Sequence, residues 1–433
     1  MRRTWLTSLP VVAVLLTSTG VAAAETSSNH GGVVNSSVNK SAHVLTTAVP
    51  LMAAGTSTVA TKARATVPIG AQLAELKGSD TIAGDDFGTS VAISGTTVIV
   101  GADGHANGAG RAYVFSEAAG VWKQTAELVG SDTVANDGFG TSVAISGTTI
   151  VVGAASHANG AGRAYVFTKT AGVWKQTAEL QGSDTVGGVG GIGDFFGISL
   201  AIFGTTIVVG AGGHANSAGR AYVFTKTAGV WKQTAELKGS DIIAHDSFGD
   251  YVAILGTTIV VGADGYANGA GRAYVFSEAA GVWKQTAELV GSDTVAGDIF
   301  GAVAISPSTV VVGANGHAKN AGRVYVFSEA AGVWKQTAEL KGSDTTPGDC
   351  FGDSVTVSGS TAIVGAYCIA GKSGAAYVFT KTTSGWHQDA EMEGSDTADG
   401  DLFGTSVAIS GTTIVVGAAS HANGAGRAYV FEA

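Results

Sequence analysis

The chain is 433 residues long, and its 34 Asp and Glu outnumber its 24 Lys and Arg, for a net charge of −10. No run of Lys or Arg occurs, so the basic footprint that nucleic acids and anionic membranes require is missing. With 65 glycines, 5 prolines, 45% apolar and only 13% charged residues, the composition excludes a disordered chain and a helical bundle and fits short strands joined by tight turns.

In chain order, residues 1–24 read as an export signal. Met1-Arg2-Arg3 gives a positive start, residues 9–16 a short apolar stretch, and Ala22-Ala23-Ala24 a small-residue cleavage site. The apolar stretch is too short to span a bilayer, and no later window of about 20 residues is apolar without a break. The expected location is therefore extracellular, secreted or held at the cell surface. Residues 25–68 are rich in Ser, Thr, Asn, Ala and Val with no sustained period, and read as a flexible leader.

From Gln72 onward the sequence repeats. Phe87, Phe139, Phe196, Phe248, Phe300, Phe351 and Phe403 are each followed by Gly, at spacings of 52, 57, 52, 52, 51 and 52 residues. Each copy is all-β. In the first, residues 87–94 alternate with a period of two. Ser94-Gly95-Thr96 is a tight turn. Residues 97–102 form an apolar strand buried on both faces. Residues 103–110 are a small-residue loop, 111–115 a third strand, and 121–128 a fourth with Trp122, Gln124, Ala126 and Leu128 on one face. Seven such copies predict an all-β, seven-bladed β-propeller of four-stranded blades over 69–433. The seventh copy stops at Ala433 without a fourth strand, while residues 72–76 match the end of one. The N-terminal segment is therefore expected to complete the last blade and close the ring.

Units such as Phe139-Gly140, then Gly153-Ala154, then Ala164-Tyr165-Val166-Phe167 resemble FG-GAP repeats, the unit of the propeller at the head of integrin α-chains and of many secreted bacterial proteins. The resemblance spans 72–433 and implies extracellular binding or adhesion. Two departures stand out. The proline after Gly-Ala is replaced by Asp103, Ala155, Gly212, Asp264, Asn315, Tyr367 and Ala419. The first-to-second-strand connection, which often carries a calcium loop in the integrin type, is only Ser-Gly-Thr, as at Ser146-Gly147-Thr148, too few oxygens for a hard cation. No calcium, other metal or cofactor is expected.

Candidate site residues also recur. Asp80, Asp132, Asp184, Asp241, Asp293, Asp344 and Asp396 lie in Gly-Ser-Asp; Asp85, Asp137, Asp194, Asp246, Asp298, Asp349 and Asp401 lie two before the phenylalanine. Paired carboxylates suit acid–base chemistry. A residue copied into every blade more readily holds turns, by accepting backbone N–H bonds. The loop after the second strand carries His105, His157, His214, His317 and His421, with Tyr266 in the fourth copy, followed two residues on by Asn107, Asn159, Asn216, Asn423 and Asn268. These residues share a face with Gly-Ser-Asp. They read either as solvated loop tips copied by duplication or as a ligand face for a glycan or protein. Arg111, Arg163, Arg220, Arg272, Arg323 and Arg427 open the third strand, where a pairing with a loop aspartate is expected. Copy six lacks both signals, with Ile369 and Ala375, and holds Cys350 and Cys368, placed nearly opposite each other; a disulfide is expected, with two free thiols as the alternative. In copy three, 188–193 fits GxGxxG without a following helix, so no dinucleotide role is assigned.

The function expected is a secreted, monomeric, non-enzymatic binding or adhesion module for an extracellular protein or glycan. The alternatives are a polysaccharide lyase or glycosidase, which needs an asymmetric polar cluster near the channel, and a structural surface scaffold. Only copies three and six offer asymmetry to sequence reading.

Overall fold

The computed structural model describes residues 67–188, 193–369 and 373–433. The export signal, most of the leader and the middle of the copy-three insertion lie outside the described residues. Seven four-stranded antiparallel sheets form a seven-bladed β-propeller, with the blades numbered here by their Phe-Gly pair. In blade 1 the strands are Ser90–Ser94, Thr97–Ala102, Arg111–Ala118 and Val121–Leu128, from the inside outward. The second strand is fully buried at Val98, Ile99 and Val100 because neighbouring blades cover both of its faces.

Three boundaries differ from the sequence reading. The inner strand of blade 1 begins at Ser90, because Phe87 leaves its own sheet and bridges Gly426 of blade 7. The third strand runs on to Ala118, paired with Val121 across a two-residue turn. The 103–110 loop contains a helical turn, His105–Gly108, with Ala106 and Asn107 left-handed at φ 53° and 60°.

The Phe-Gly pair is an inter-blade joint. The Phe139 backbone bridges Gly110 of blade 1, while its ring packs 5.5 Å from Tyr165 and 6.1 Å from Phe167 in blade 2. Ser90 Oγ donates to the Gly140 carbonyl at 2.7 Å. This closeness explains the glycine of Gly-Ala: a Cβ on Gly101 would stand 2.0 Å from that same carbonyl oxygen. Gly110 meets the same limit 1.9 Å from Phe139 O and also holds φ +82°. The repeat's glycines thus record how close consecutive blades stand.

Ring closure is as the sequence implies. Gln72–Leu76 pairs antiparallel with Arg427–Glu432, with Glu75 opposite Tyr429 and Leu76 opposite Ala428. Gln72 also reaches blade 7's Gly-Ser-Asp loop, where its Oε1 accepts from Ser395 N at 2.9 Å, as Gln124 does from Ser79 N in blade 1. The borrowed strand therefore reproduces the side-chain contact of an ordinary fourth strand.

In blade 6 Cys350 and Cys368 are bonded, with a Cα separation of 5.5 Å across 18 residues. Closing a loop of that length is worth about 3 kcal/mol. Reduction is accordingly expected to lower the melting temperature measurably in paired melts with and without a thiol reductant; an unchanged melt would contradict a stabilising role.

Candidate functional site

Crossover segments carry the chain from the outer strand of one blade to the inner strand of the next, across one face. Asp85, 4% exposed, accepts the Ile82 N–H at 2.8 Å and so folds the crossover back on itself. Its Oδ2 also meets His105 Nδ1 at 2.8 Å, which puts the imidazole proton on Nδ1. Asp80 is held differently from the expectation for a turn aspartate: its Oδ1 accepts the hydroxyl of Tyr113, a ring with no exposed surface, at 2.7 Å. His105 Nε2 lies 3.8 Å from the second oxygen of Asp80.

Tyrosine, histidine and two aspartates thus clamp the incoming crossover to its blade. The arrangement recurs with His157, His214, His317 and His421. The histidine side chains are only 11–14% exposed, so they are not the solvated loop tips that one sequence reading describes. Asn107, Asn159, Asn216, Asn268 and Asn423 are exposed at left-handed φ, a conformation asparagine tolerates. Blade 4 substitutes Tyr266, whose hydroxyl donates to Asp241 at 2.7 Å while Arg272 lies 4.1 Å from its ring centre.

The arginines mostly do not pair with a loop aspartate. Arg111, Arg163, Arg220 and Arg323 reach a fourth-strand glutamate, as in Arg111–Glu127 at 2.9 Å, and Arg427 reaches Glu75 on the closing strand. Of the six, Arg272 alone also meets an aspartate, Asp241, at 3.0 Å. The reason is geometric: the third and fourth strands are adjacent, so the glutamate side chain is the nearer acceptor.

A second group, some of whose members the sequence marks only as departures from Gly-Ala-Pro, is not recognisable as a site from the sequence. Asp250 follows the Phe-Gly pair of blade 4, Asp353 that of blade 6, and Asp264, Asn315 and Tyr367 immediately follow the second strands of blades 4, 5 and 6. Asp250 occupies space that a side chain on Gly212 of blade 3 would fill, 1.6 Å from the added Cβ. Asp353 is 5% exposed and accepts a hydrogen bond from Asn315 Nδ2, whose partner oxygen Oδ1 is buried without a bond. Burial pushes the Asp353 carboxyl up to about 7. Burial also raises Asp264, and raises Asp250 further with the added repulsion of Asp264. Tyr251, 4% exposed, is raised by burial and by the charges of Asp353, Asp264 and Asp250. Blades 4 to 6 therefore hold an asymmetric acidic group at the inner end of the crossover face. The sequence expectation that asymmetry lies in copies three and six needs that correction. The available signals were the residues after Gly-Ala and after Phe-Gly, which vary from blade to blade.

Among the described residues no cluster of His, Cys, Asp and Glu has the geometry to hold a metal ion. No curated protein matches the chain. Among solved structures, the crystal structure of Saccharomyces cerevisiae Sqt1 aligns with 82% of this chain and 84% of its own at 11% identity and a TM-score of 0.47. The FG-GAP repeat model matches residues 71–115, 122–167, 174–224, 231–276, 283–327, 334–379 and 386–431, each running from the fourth strand of one blade through the third strand of the next, and the chain belongs to the FG-GAP repeat family.

Proposed function

We propose that the protein is an exported, non-enzymatic binding propeller that holds an extracellular partner protein on its crossover face. The supporting observation is a crescent of exposed apolar side chains over five successive blades: Ile82, Val134, Val186, Ile243 and Val295, each 62–69% exposed. Each backbone N–H in the crescent is fixed by the buried aspartate of its crossover, as Asp137 fixes Val134 at 2.7 Å. The side chains are thus presented by a rigid base rather than by a loose loop. The exposed asparagines lie alongside, since Asn136 N donates to Asn107 O at 3.1 Å between neighbouring blades. Exposed apolar side chains repeated beside polar ones on successive blades suit protein docking, and equivalent positions on a rigid ring favour multivalent grip. Thr346 and Ala398 take the equivalent places in blades 6 and 7, which leaves the crescent open on one side.

The triple variant Val134→Ser/Ile243→Ser/Val295→Ser tests this reading. On an array of extracellular matrix proteins and glycans, wild type is expected to bind a protein spot, and the variant to bind it about tenfold or more weakly. Its melting temperature should be unchanged, because the altered side chains are already in water. Equal binding by both proteins, or no protein spot bound by wild type, would overturn the reading.

A polysaccharide-cleaving enzyme is the second reading, favoured by the carboxyl groups of Asp250, Asp264 and Asp353, whose raised titration suits a general acid. Release of reducing or unsaturated ends from polysaccharides, lost in Asp264→Asn, would favour it over binding alone.

A further inference from the structure

The opposite face carries the hairpins between first and second strands, and there the seam between blades 4 and 5 lacks a latch that four other seams share. At four seams a serine ending one inner strand accepts the backbone N–H of the next blade's first hairpin. These are Ser410 to Gly95 at 3.0 Å, Ser94 to Gly147 at 3.2 Å, Ser146 to Gly204 at 3.4 Å and Ser306 to Gly359 at 2.9 Å. Between blades 4 and 5 both partners are replaced together. Leu255 has no hydroxyl, and Pro307 has no N–H. The seam's other recurrent serine, Ser90 in blade 1, is Tyr251 in blade 4, so both hydroxyl latches of this seam are gone.

The proline also changes the hairpin. Elsewhere the first turn residue is a glycine at positive φ, as Gly95 at 57°. Proline cannot adopt that angle, so the positive φ moves to Ser308, also at 57°. A cavity of about 300 Å³ occupies the seam. Leu255, Ile305 and Pro307 give it apolar lining, and the half-buried Trp334 adds an aromatic one. Hydroxyl residues line it from both blades: Ser277 and Thr286 on blade 4, which hydrogen-bond each other at 3.2 Å, and Ser308 on blade 5. Glu329 adds one carboxylate, which already accepts the Gly332 N–H.

We infer that this cavity is a binding site for one neutral pyranose residue. An aromatic wall suits the C–H face of a sugar ring, and hydroxyls that both donate and accept suit its vicinal hydroxyls. The volume sits at the small end of ligand pockets, which fits one ring and not a chain. The lone, already engaged carboxylate supplies no charge pairing, so the ligand needs none. The site lies on the face away from the apolar crescent and stands or falls independently of the proposed docking function.

Calorimetric titration of the full chain with the methyl glycosides of glucose, galactose and mannose tests the inference. One of the three is expected to bind at one site per chain, with a dissociation constant on the order of 1 mM. The double variant Leu255→Ser/Pro307→Gly restores the latch found at other seams; it should fold at least as stably and bind about tenfold or more weakly. Trp334→Phe, which keeps an aromatic wall, should retain measurable but weaker binding. Binding by none of the glycosides, more than one site per chain, or undiminished binding by the latch-restored variant would overturn the inference.

Discussion

A chain that begins at Lys77 is expected to lose on the order of 5 kcal/mol of stability and to aggregate at concentrations where the full chain does not. Removal of Gln72–Leu76 strips Leu76, 2% exposed, from the core, at about 2 kcal/mol. It also unpairs the backbone of Ala428–Phe431, whose hydrogen bonds contribute about 1 kcal/mol each. The Glu75–Arg427 ion pair at 2.6 Å is partly exposed and adds little. Against a total stability of about 5–15 kcal/mol, that loss is decisive. The uncovered strand is short of charge and becomes a template for pairing with another chain. Chemical denaturation and light scattering of the two chains check both halves of the prediction. A truncated chain as stable and soluble as the full one would show that closure is dispensable.

Stability is also expected to fall as pH rises from about 4 to about 7, through the buried carboxyl groups. Free carboxyls titrate near 3.9 in the unfolded chain. Burial lifts Asp353 and Asp103 to about 7, the latter helped by the charge of Asp86, and lifts Asp250 and Asp264 as well. Between these limits the folded state holds more protons than the unfolded state, so their contribution is greatest in acid and declines as the groups are forced to ionise in the fold. For Asp353 the displacement of roughly three pH units corresponds to at most about 4 kcal/mol. Asp353→Asn keeps an oxygen for Asn315 and removes the charge. The variant should therefore melt several degrees above wild type at pH 8 and match it near pH 4. Equal effects of the substitution at both pH values would mean that the carboxyl is not held neutral by the fold.

Periodicity carried most of the architecture. The Phe-Gly beat, the doubly apolar second strand and the leftover fourth-strand fragment 72–76 each express a constraint that acts within one blade or between its ends. Constraints acting between blades were harder to read. Phe87 looks like the first residue of a strand because it precedes an alternating run, yet its backbone belongs to the neighbouring blade. Arg111 takes Glu127 instead of an aspartate because strand adjacency, and not sequence nearness, decides which carboxylate it meets. The acidic group of blades 4 to 6 was hidden for the same reason. Asp250 and Asp264 are deviations in copy four and Asp353 in copy six, and only the ring's curvature brings them into one electrostatic neighbourhood. His105 illustrates the converse: its polarity suggests a solvent-facing ligand group, whereas Asp85 and Tyr113 enclose it.

Amide hydrogen exchange of the last strand, Arg427–Glu432, tests ring closure most directly. If Gln72–Leu76 covers it, the amides facing that strand should exchange as slowly as those of Arg111–Ala118, which lies between two strands in blade 1. Exchange at the rate of an open sheet edge, in the intact chain under native conditions, would contradict the closed seven-bladed ring.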